Sequence, residues 1–401
     1  MIYNKKENCT ACGACVNKCP VSAISFVADE SGTEYPIIDK EKCIDCNLCK
    51  KVCMTWGLPK LRNPIDAKVV ALKDQKGLFN SSSGALFMGL AQTVIKDGGV
   101  VYGAAYSSED NNLVVIHKSA DCNDDLKNIQ GSKYTRSYIN LIYKEVEEHL
   151  KNGRRVFFTG SPCQVAGLYK YLGQDSELLV TADVICHGVP EQKLFANYLD
   201  FLEKEHKGKV IEFSFRSKKY GWGLTGTATV KKKNGKLKKV NVSHLLSSYY
   251  SLFIEGSIYR ENCYNCKFAQ GKRVSDITMG DYWGIYQEHP ELLARNGGPI
   301  DETKGLSCAI INTTKGEKLF EDSSELFDSY ESSFEKVQRN NGQLNHPTPK
   351  TSGCELYFGA ANKDKLRFFL LSRDKIRLFS QVFCLKSEEN ALKKPIFLVL
   401  S

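Results

Sequence analysis

The sequence contains no run of 18 or more apolar residues, so no membrane-spanning helix is expected. Its opening stretch, MIYNKKENCT, lacks the apolar core of a secretory leader. The closing PIFLVLS is apolar but too short to cross a bilayer. No GxGxxG is present, so the Rossmann dinucleotide fingerprint does not apply. No nucleic-acid-binding motif accompanies the net charge of +9, and no hydrogen-activating metal site is evident. These absences point to a cytoplasmic protein without a membrane span or a nucleic-acid partner.

What is abundant is cysteine, with 16 in 401 residues. Without an export signal, disulfides are a poor explanation. A reducing, low-oxygen cytosol suits them better. Residues 9–20 read CTACGACVNKCP and residues 43–53 read CIDCNLCKKVC. Each is C-x2-C-x2-C-x3-C. A cubane needs four thiolates around a small cube; three come from one tight loop and the fourth from elsewhere. In two-cluster ferredoxins the fourth cysteine of each run serves the other cluster. This assigns Cys9, Cys12, Cys15 and Cys53 to one 4Fe–4S cluster, and Cys43, Cys46, Cys49 and Cys19 to a second. Ala11, Gly13 and Ala14 let the first loop wrap closely, and Asp45 adds negative charge beside the second. A structural zinc site is the bland competitor, and two runs in this register disfavour it. Met54 stands where a proline often follows the fourth cysteine.

Such a module needs only about 60 residues. The sequence divides into a two-cluster domain at 1–62, a PKLRNP linker, a body in two parts at 66–150 and 151–345, and a basic, partly helical extension at 346–401. Short apolar runs at 67–74, 100–107, 113–120, 154–160 and 177–188 read as strands. They alternate with helical patterns at 139–153, 161–173 and 190–208. The expected fold is α/β (α+β overall): a small ferredoxin-like domain, then a mixed α/β body with a largely parallel core sheet. KKKNGKLKKV (231–240) reads as a hairpin with a type I′ turn at Asn-Gly. Its charge is a solvated tip or a docking surface for an acidic partner or phosphorylated cofactor.

Two isolated cysteines fall at strand ends, where parallel sheets gather their ligands. In SPCQ, Ser161 is a good N-cap and Cys163 sits at a helix N-terminus, where the dipole favours a thiolate. Cys186 lies just past the next strand. Cys263 and Cys266, in ENCYNCKF, can complete a four-thiolate set. A redox nucleophile, a dithiol or small buried side chains remain alternatives, and burial is the expectation for Cys122, Cys308, Cys354 and Cys384.

GSKYTRS (131–137), FTGSPCQVAG (158–167), DVICHGVP (183–190), FRSKKYGWG (215–223), CYNCKF (263–268) and RVSDITMGDYWGI (273–285) occur in this order. With them the sequence resembles the coenzyme F420 hydrogenase/dehydrogenase beta-subunit (FrhB-like) family over roughly 66–345. The resemblance implies an iron–sulfur flavoprotein oxidoreductase that binds FAD and carries a third 4Fe–4S cluster, on Cys163, Cys186, Cys263 and Cys266. It implies electron transfer between a ferredoxin, or another electron-transfer protein, and a small-molecule acceptor or donor such as coenzyme F420. The alternatives are a ferredoxin-dependent reductase of an organic substrate and a non-catalytic electron-wiring subunit. For FAD it implies the turns at Ser82, Ser83 and Gly84, at Lys133 and Tyr134, and at Thr159, Gly160 and Ser161, each of which is otherwise an ordinary cap or turn. His187, Lys133 and Arg216 are candidates to donate a proton or hold an anionic substrate; no residue is assigned as catalytic. The oligomeric state stays open.

Overall fold

The computed structural model describes residues 2–351 apart from 110, 111, 220 and 246. Most of the 346–401 extension, with Cys354 and Cys384, lies outside the described residues.

The first 60 residues fold around their two cysteine loops. Strands β1 (Ile24–Ala28) and β2 (Glu34–Ile38) form an antiparallel hairpin between the loops. A short helix, Ala14–Lys18 or Leu48–Lys51, leads out of each loop. The loops are conformational twins. Ala11 and Asp45 have φ of 52°, and Gly13 and Asn47 have φ of 80° and 58°. Both loops therefore place left-handed residues two and four positions after their first cysteine. Glycine and asparagine tolerate that region at low cost.

The body is built on one eight-stranded sheet. Its strands are β3 (Asp66–Leu72), β4 (Val100–Glu109), β5 (Asn112–Ala120), β6 (Val156–Gly160) and β7 (Leu179–Val184), followed after an insertion by three more. The insertion is a three-stranded antiparallel sheet of β8 (Gly208–Ser214), β9 (Thr225–Lys232) and β10 (Leu237–Ser243). The main sheet then resumes with β11 (Ile277–Asp281), β12 (Ser307–Ile311) and β13 (Phe327–Ser332), giving the order β13-β3-β12-β11-β7-β6-β4-β5. Both expected parts of the body contribute to this sheet.

Only β11-β7-β6-β4 is parallel. β12, β3 and β13 flank it antiparallel on one side, and β5 on the other. The largely parallel sheet of the sequence reading is thus a parallel core with antiparallel margins. The local reason is chain economy: β5 returns from β4 through a tight hairpin, which cannot produce a parallel neighbour.

Each face of the sheet is covered, as a parallel core requires. Phe157 faces the helix Leu86–Lys96, while Val156 and Phe158 face the helices Ile142–Lys151 and Pro162–Leu172. The N-terminal module packs onto this second face through Ala14, Val52 and Met54. Met54, where proline was expected, is therefore a buried anchor. The PKLRNP stretch is no loose linker either. Arg62 N donates to Arg273 O at 2.7 Å, and Arg273 N donates back at 2.8 Å.

The Asn-Gly hairpin forms, but not with a type I′ turn. Gly235 N donates to Lys232 O, Gly235 has φ of 80°, and Asn234 stays out of the left-handed region. A type I′ turn needs φ above zero at both central residues. The connection is instead a type I turn closed by a left-handed glycine.

Candidate functional site

The cysteine loops differ most in exposure. Cys9 and Cys15 are buried and Cys12 half-buried, whereas Cys46 is exposed and its neighbours Ile44, Asp45 and Asn47 face solvent. Backbone N–H groups of Ala11, Ala14 and Val16 point at the sulfurs of Cys9, Cys12 and Cys15. Ala23 N donates to Cys19 Sγ at 3.2 Å. Such donors suit thiolate sulfur carrying negative charge. Cys9, Cys12, Cys15 and Cys53 line one cavity, and Cys19 packs in one cluster with Cys43 and Cys49.

The inner loop is pressed against the body. A Cβ on Gly167 would lie 3.0 Å from Cys12 Cβ and 3.1 Å from Cys12 Sγ. Tyr143 Oη lies 2.8 Å from both Cys12 O and Gln164 O. Asn17 donates to Asn140 O and Lys18 to Tyr171 O. On the other side of the loop stands a buried chain of charge. Arg136 pairs with Glu34 of the module and, at 3.0 Å, with Glu191 of the body; Glu191 also pairs with Arg260. Arg260 donates to Cys9 O and Glu34 O, both at 3.2 Å.

The four later cysteines meet. Cys163, Cys186, Cys263 and Cys266 line one cavity together with Ser161 and His187. Cys163 sits in the first turn of the helix Pro162–Leu172, which Ser161 and Gln164 close with a capping box. Cys186 follows β7, and the helical turn Glu261–Asn265 carries Cys263 and delivers Cys266. Gly188 lets the β7 loop pass the ring of Tyr259: it has φ of 138°, and a Cβ there would come within 2.3 Å of the ring.

Burial pushes the thiols of Cys163 and Cys263 up to about 12, with mutual repulsion adding to it. That corrects the expectation of a dipole-stabilised thiolate at Cys163. A helix N-terminus offers about 0.3–1 kcal/mol, which desolvation of a buried charge exceeds. The donor set is four soft sulfur ligands around one cavity, which fits a cubane or a tetrahedral metal. Cys163 also raises the Cys12 thiol, which places the inner loop and the interior set side by side. Cys308 is buried as expected, but Cys122 is exposed and its thiol bonds Asp125 at 3.2 Å. It precedes the helix Asn123–Ile129 as its N-cap, a surface position.

The residues expected to meet FAD fall into two neighbouring groups at the carboxyl edge of the sheet. Ser82 Oγ accepts from Ser132 N (2.8 Å) and Oγ (2.9 Å), which joins the 81–84 turn to Lys133 and Tyr134. Thr159, Gly160 and Ser161 extend from β6 toward Cys163, with Ser161 Oγ 3.2 Å from Cys163 Sγ. Several of their polar atoms are already used: Ser83 Oγ donates to Leu306 O, and Thr159 Oγ1 to Tyr102 O. Gly84 is a packing glycine, since a Cβ there would strike Val70 O at 2.1 Å.

The cations of this edge are Lys133 and Arg216, already named from the sequence, and Lys218, which was not. Lys218 reaches Leu78 O and Ser83 O, and Lys133 reaches Ile129 O and Gln130 O. Neither has a carboxylate partner among the described residues, and burial lowers both to about 7. Arg216 forks onto Asp281 at 2.9 Å twice, and its buried Nε has no partner. Trp222 and Trp283 stack at 5.1 Å, with Trp222 Nε1 donating to Asp281. The signal was present in the repeated aromatic-glycine stretches FRSKKYGWG and GDYWG. Asp183 and Arg273 open two of the quoted stretches, DVICHGVP and RVSDITMGDYWGI, whereas Arg260 and Glu191 gave no signal, because ordinary surface residues look identical in sequence. His187 lies by the interior cysteines, and burial lowers its pKa.

The chain matches two known families. Residues 153–327 match the C-terminal region of the coenzyme F420 hydrogenase/dehydrogenase beta subunit, and residues 8–56 match a 4Fe-4S dicluster domain. It is 29% identical over 96 residues to trichloroethene reductive dehalogenase of Dehalococcoides mccartyi, covering 21% of this chain and 17% of that protein. It is 28% identical over 80 residues to one subunit of the H(2):CoB-CoM heterodisulfide,ferredoxin reductase of Methanothermobacter marburgensis, covering 17% of this chain and 12% of that protein. The chain therefore spans less than a fifth of either relative. Among solved structures, a chain of the F420-reducing [NiFe] hydrogenase complex from Methanosarcina barkeri aligns with a TM-score of 0.44 and 14% identity, covering 71% of this chain and 91% of that one. Among the described residues, no helix is long and apolar enough to cross a membrane.

Proposed function

We propose that this chain, which matches the C-terminal region of the coenzyme F420 hydrogenase/dehydrogenase beta subunit over residues 153–327 and a 4Fe-4S dicluster domain over residues 8–56, is an FAD- and iron–sulfur-dependent oxidoreductase. It would take electrons from a ferredoxin or similar protein and deliver them in pairs to a small molecule such as coenzyme F420. Cys9, Cys12, Cys15 and Cys53 would hold an inner 4Fe–4S cluster, and Cys43, Cys46, Cys49 and Cys19 an outer one. Cys163, Cys186, Cys263 and Cys266 would hold a third. When bound, clusters handle single electrons and a flavin one or two, so the set joins one-electron donors to two-electron chemistry.

The observation that carries this reading is contiguity. Cys43 and Cys49 of the outer loop pack with Cys15 and Cys19 of the inner one, Cys12 stands against Gly167, and four positions earlier on the same helix is Cys163. FAD is proposed at the carboxyl edge beyond, near Ser82, Ser83, Gly84, Lys133 and Tyr134. The stretch Thr159, Gly160 and Ser161 joins that edge to Cys163. Buried Lys218 and half-buried Lys133, neither ion-paired to an acid among the described residues, with the orphaned Arg216 Nε, fit the pyrophosphate of such a ligand.

Anaerobically purified protein should retain flavin and reduce pure F420 with reduced ferredoxin. Retained flavin without F420 turnover would favour an organic acceptor, and absence of flavin a non-catalytic wiring role. The lysines add a pH test. Each loses its proton above about 7 in the free protein, and an anion restores it. Flavin binding should therefore take up protons above pH 7 and weaken as pH rises through 8. Calorimetry in two buffers of different ionisation enthalpy measures the uptake; none would remove Lys133 and Lys218 from the site.

A further inference from the structure

Among the described residues, Arg260 is the one arginine bonded to both sides of the junction between the inner loop and the interior cysteines. Its side chain donates to Cys9 O and Glu34 O, and its own carbonyl accepts from Cys263 N at 2.9 Å. Its side chain is 1% exposed. Its backbone N is fixed by Val189 O at 3.0 Å, and its guanidinium lies 5.3 Å from the centre of the Tyr35 ring. Glu191 holds it from the side away from the module.

We propose that Arg260 is a positioning residue whose buried charge raises the reduction potentials of the inner and interior clusters relative to the outer one. The inference rests on the three-cluster reading given above. The argument is electrostatic. Reduction adds negative charge to a cluster, and a cation fixed nearby in a low-dielectric interior stabilises the reduced form. Arg260 bonds Cys9 O through its guanidinium and Cys263 N through its carbonyl, so its charge stands beside both sets. The outer loop is solvent-exposed, and water and salt screen it. An electron arriving at Cys46 would then run downhill into the body. Glu191 is the counter-charge, so removing it should act with the opposite sign.

The test is a potentiometric titration of the reconstituted holoprotein followed by electron paramagnetic resonance, comparing Arg260→Gln with Glu191→Gln. The signal lost in Cys263→Ala identifies the interior cluster. In Arg260→Gln, that signal and one of the other two should shift to lower potential. The reduced-to-oxidised ratio at fixed potential should fall about tenfold, or about 59 mV for a one-electron couple. Glu191→Gln should move the same two signals upward, and the third should stay in place in both variants. Unmoved potentials, or two variants shifting the same way, would overturn the proposal, the latter marking a structural disturbance. A wild-type iron content of about eight atoms per chain would instead fail the three-cluster reading. The inner-cluster shift would still decide the role of Arg260.

Discussion

Replacing Cys263 with alanine is expected to lower the iron content of the anaerobically purified protein from about twelve atoms per chain to about eight. The cavity explains why one thiol should suffice. Its four cysteines come from three separate segments, the helix Pro162–Leu172, the loop after β7 and the turn at 261–266. With one gone, three sulfurs remain and no fifth cysteine lines the cavity; His187, which does, is positioned by the same loop as Cys186. The eight N-terminal cysteines belong to a separate fold and should keep their signals. Iron and acid-labile sulfide counts make the comparison, and an unchanged count would remove Cys263 from the ligand set.

Arg273→Leu should cost more stability than any surface change. Arg273 is almost fully buried and bonds Asp183 (3.0 Å), Thr278 Oγ1 (3.1 Å) and Phe268 O (3.0 Å). Asp183 is itself inaccessible, and its Oδ2 already lacks a partner. Leucine would strand a buried carboxylate, at a cost of roughly 3–5 kcal/mol. For a protein of this size that lowers the thermal midpoint by roughly 4–6 degrees. Adding Asp183→Asn should recover part of the loss, because an amide is far less costly to bury unpaired than a charge. A midpoint unchanged within a degree would show that water reaches this pair. The position matters for more than stability. Arg273 ties the 59–64 segment to the turn carrying Cys266, so the linker, the sheet and the interior cysteines share one anchor.

What the sequence disclosed and withheld follows from range. The two C-x2-C-x2-C-x3-C runs are local, so the sequence alone displays them. Cys163 and Cys186 were readable because strand ends and caps are local too. The Cys163 charge state was misread because the helix N-terminus is visible in SPCQ while the desolvation that outweighs it is tertiary. The same holds for Cys122, whose apolar character says nothing about the surface helix it caps. Asn-Gly announced a turn but not its type, since Asn234 can take either sign of φ. The edge cation Lys218, bonded to Leu78 O, and the clamp of Arg136, Glu191 and Arg260 join segments far apart in the chain, beyond any periodicity.

The twin loops carry a last consequence, for how the protein can change over time. Both adopt left-handed backbone at matching positions, yet their freedom to vary is unequal. A Cβ at Gly13 would lie 3.1 Å from Ile139 Cβ of the body, so the asparagine that serves at position 47 would be crowded at position 13. The inner loop is thereby locked to its neighbour. In the outer loop, Ile44, Asp45 and Asn47 touch mostly water. Lineages can rewrite those side chains to suit a new redox partner without disturbing the machinery behind them, so adaptation to partners should accumulate on one rim of an otherwise constrained molecule.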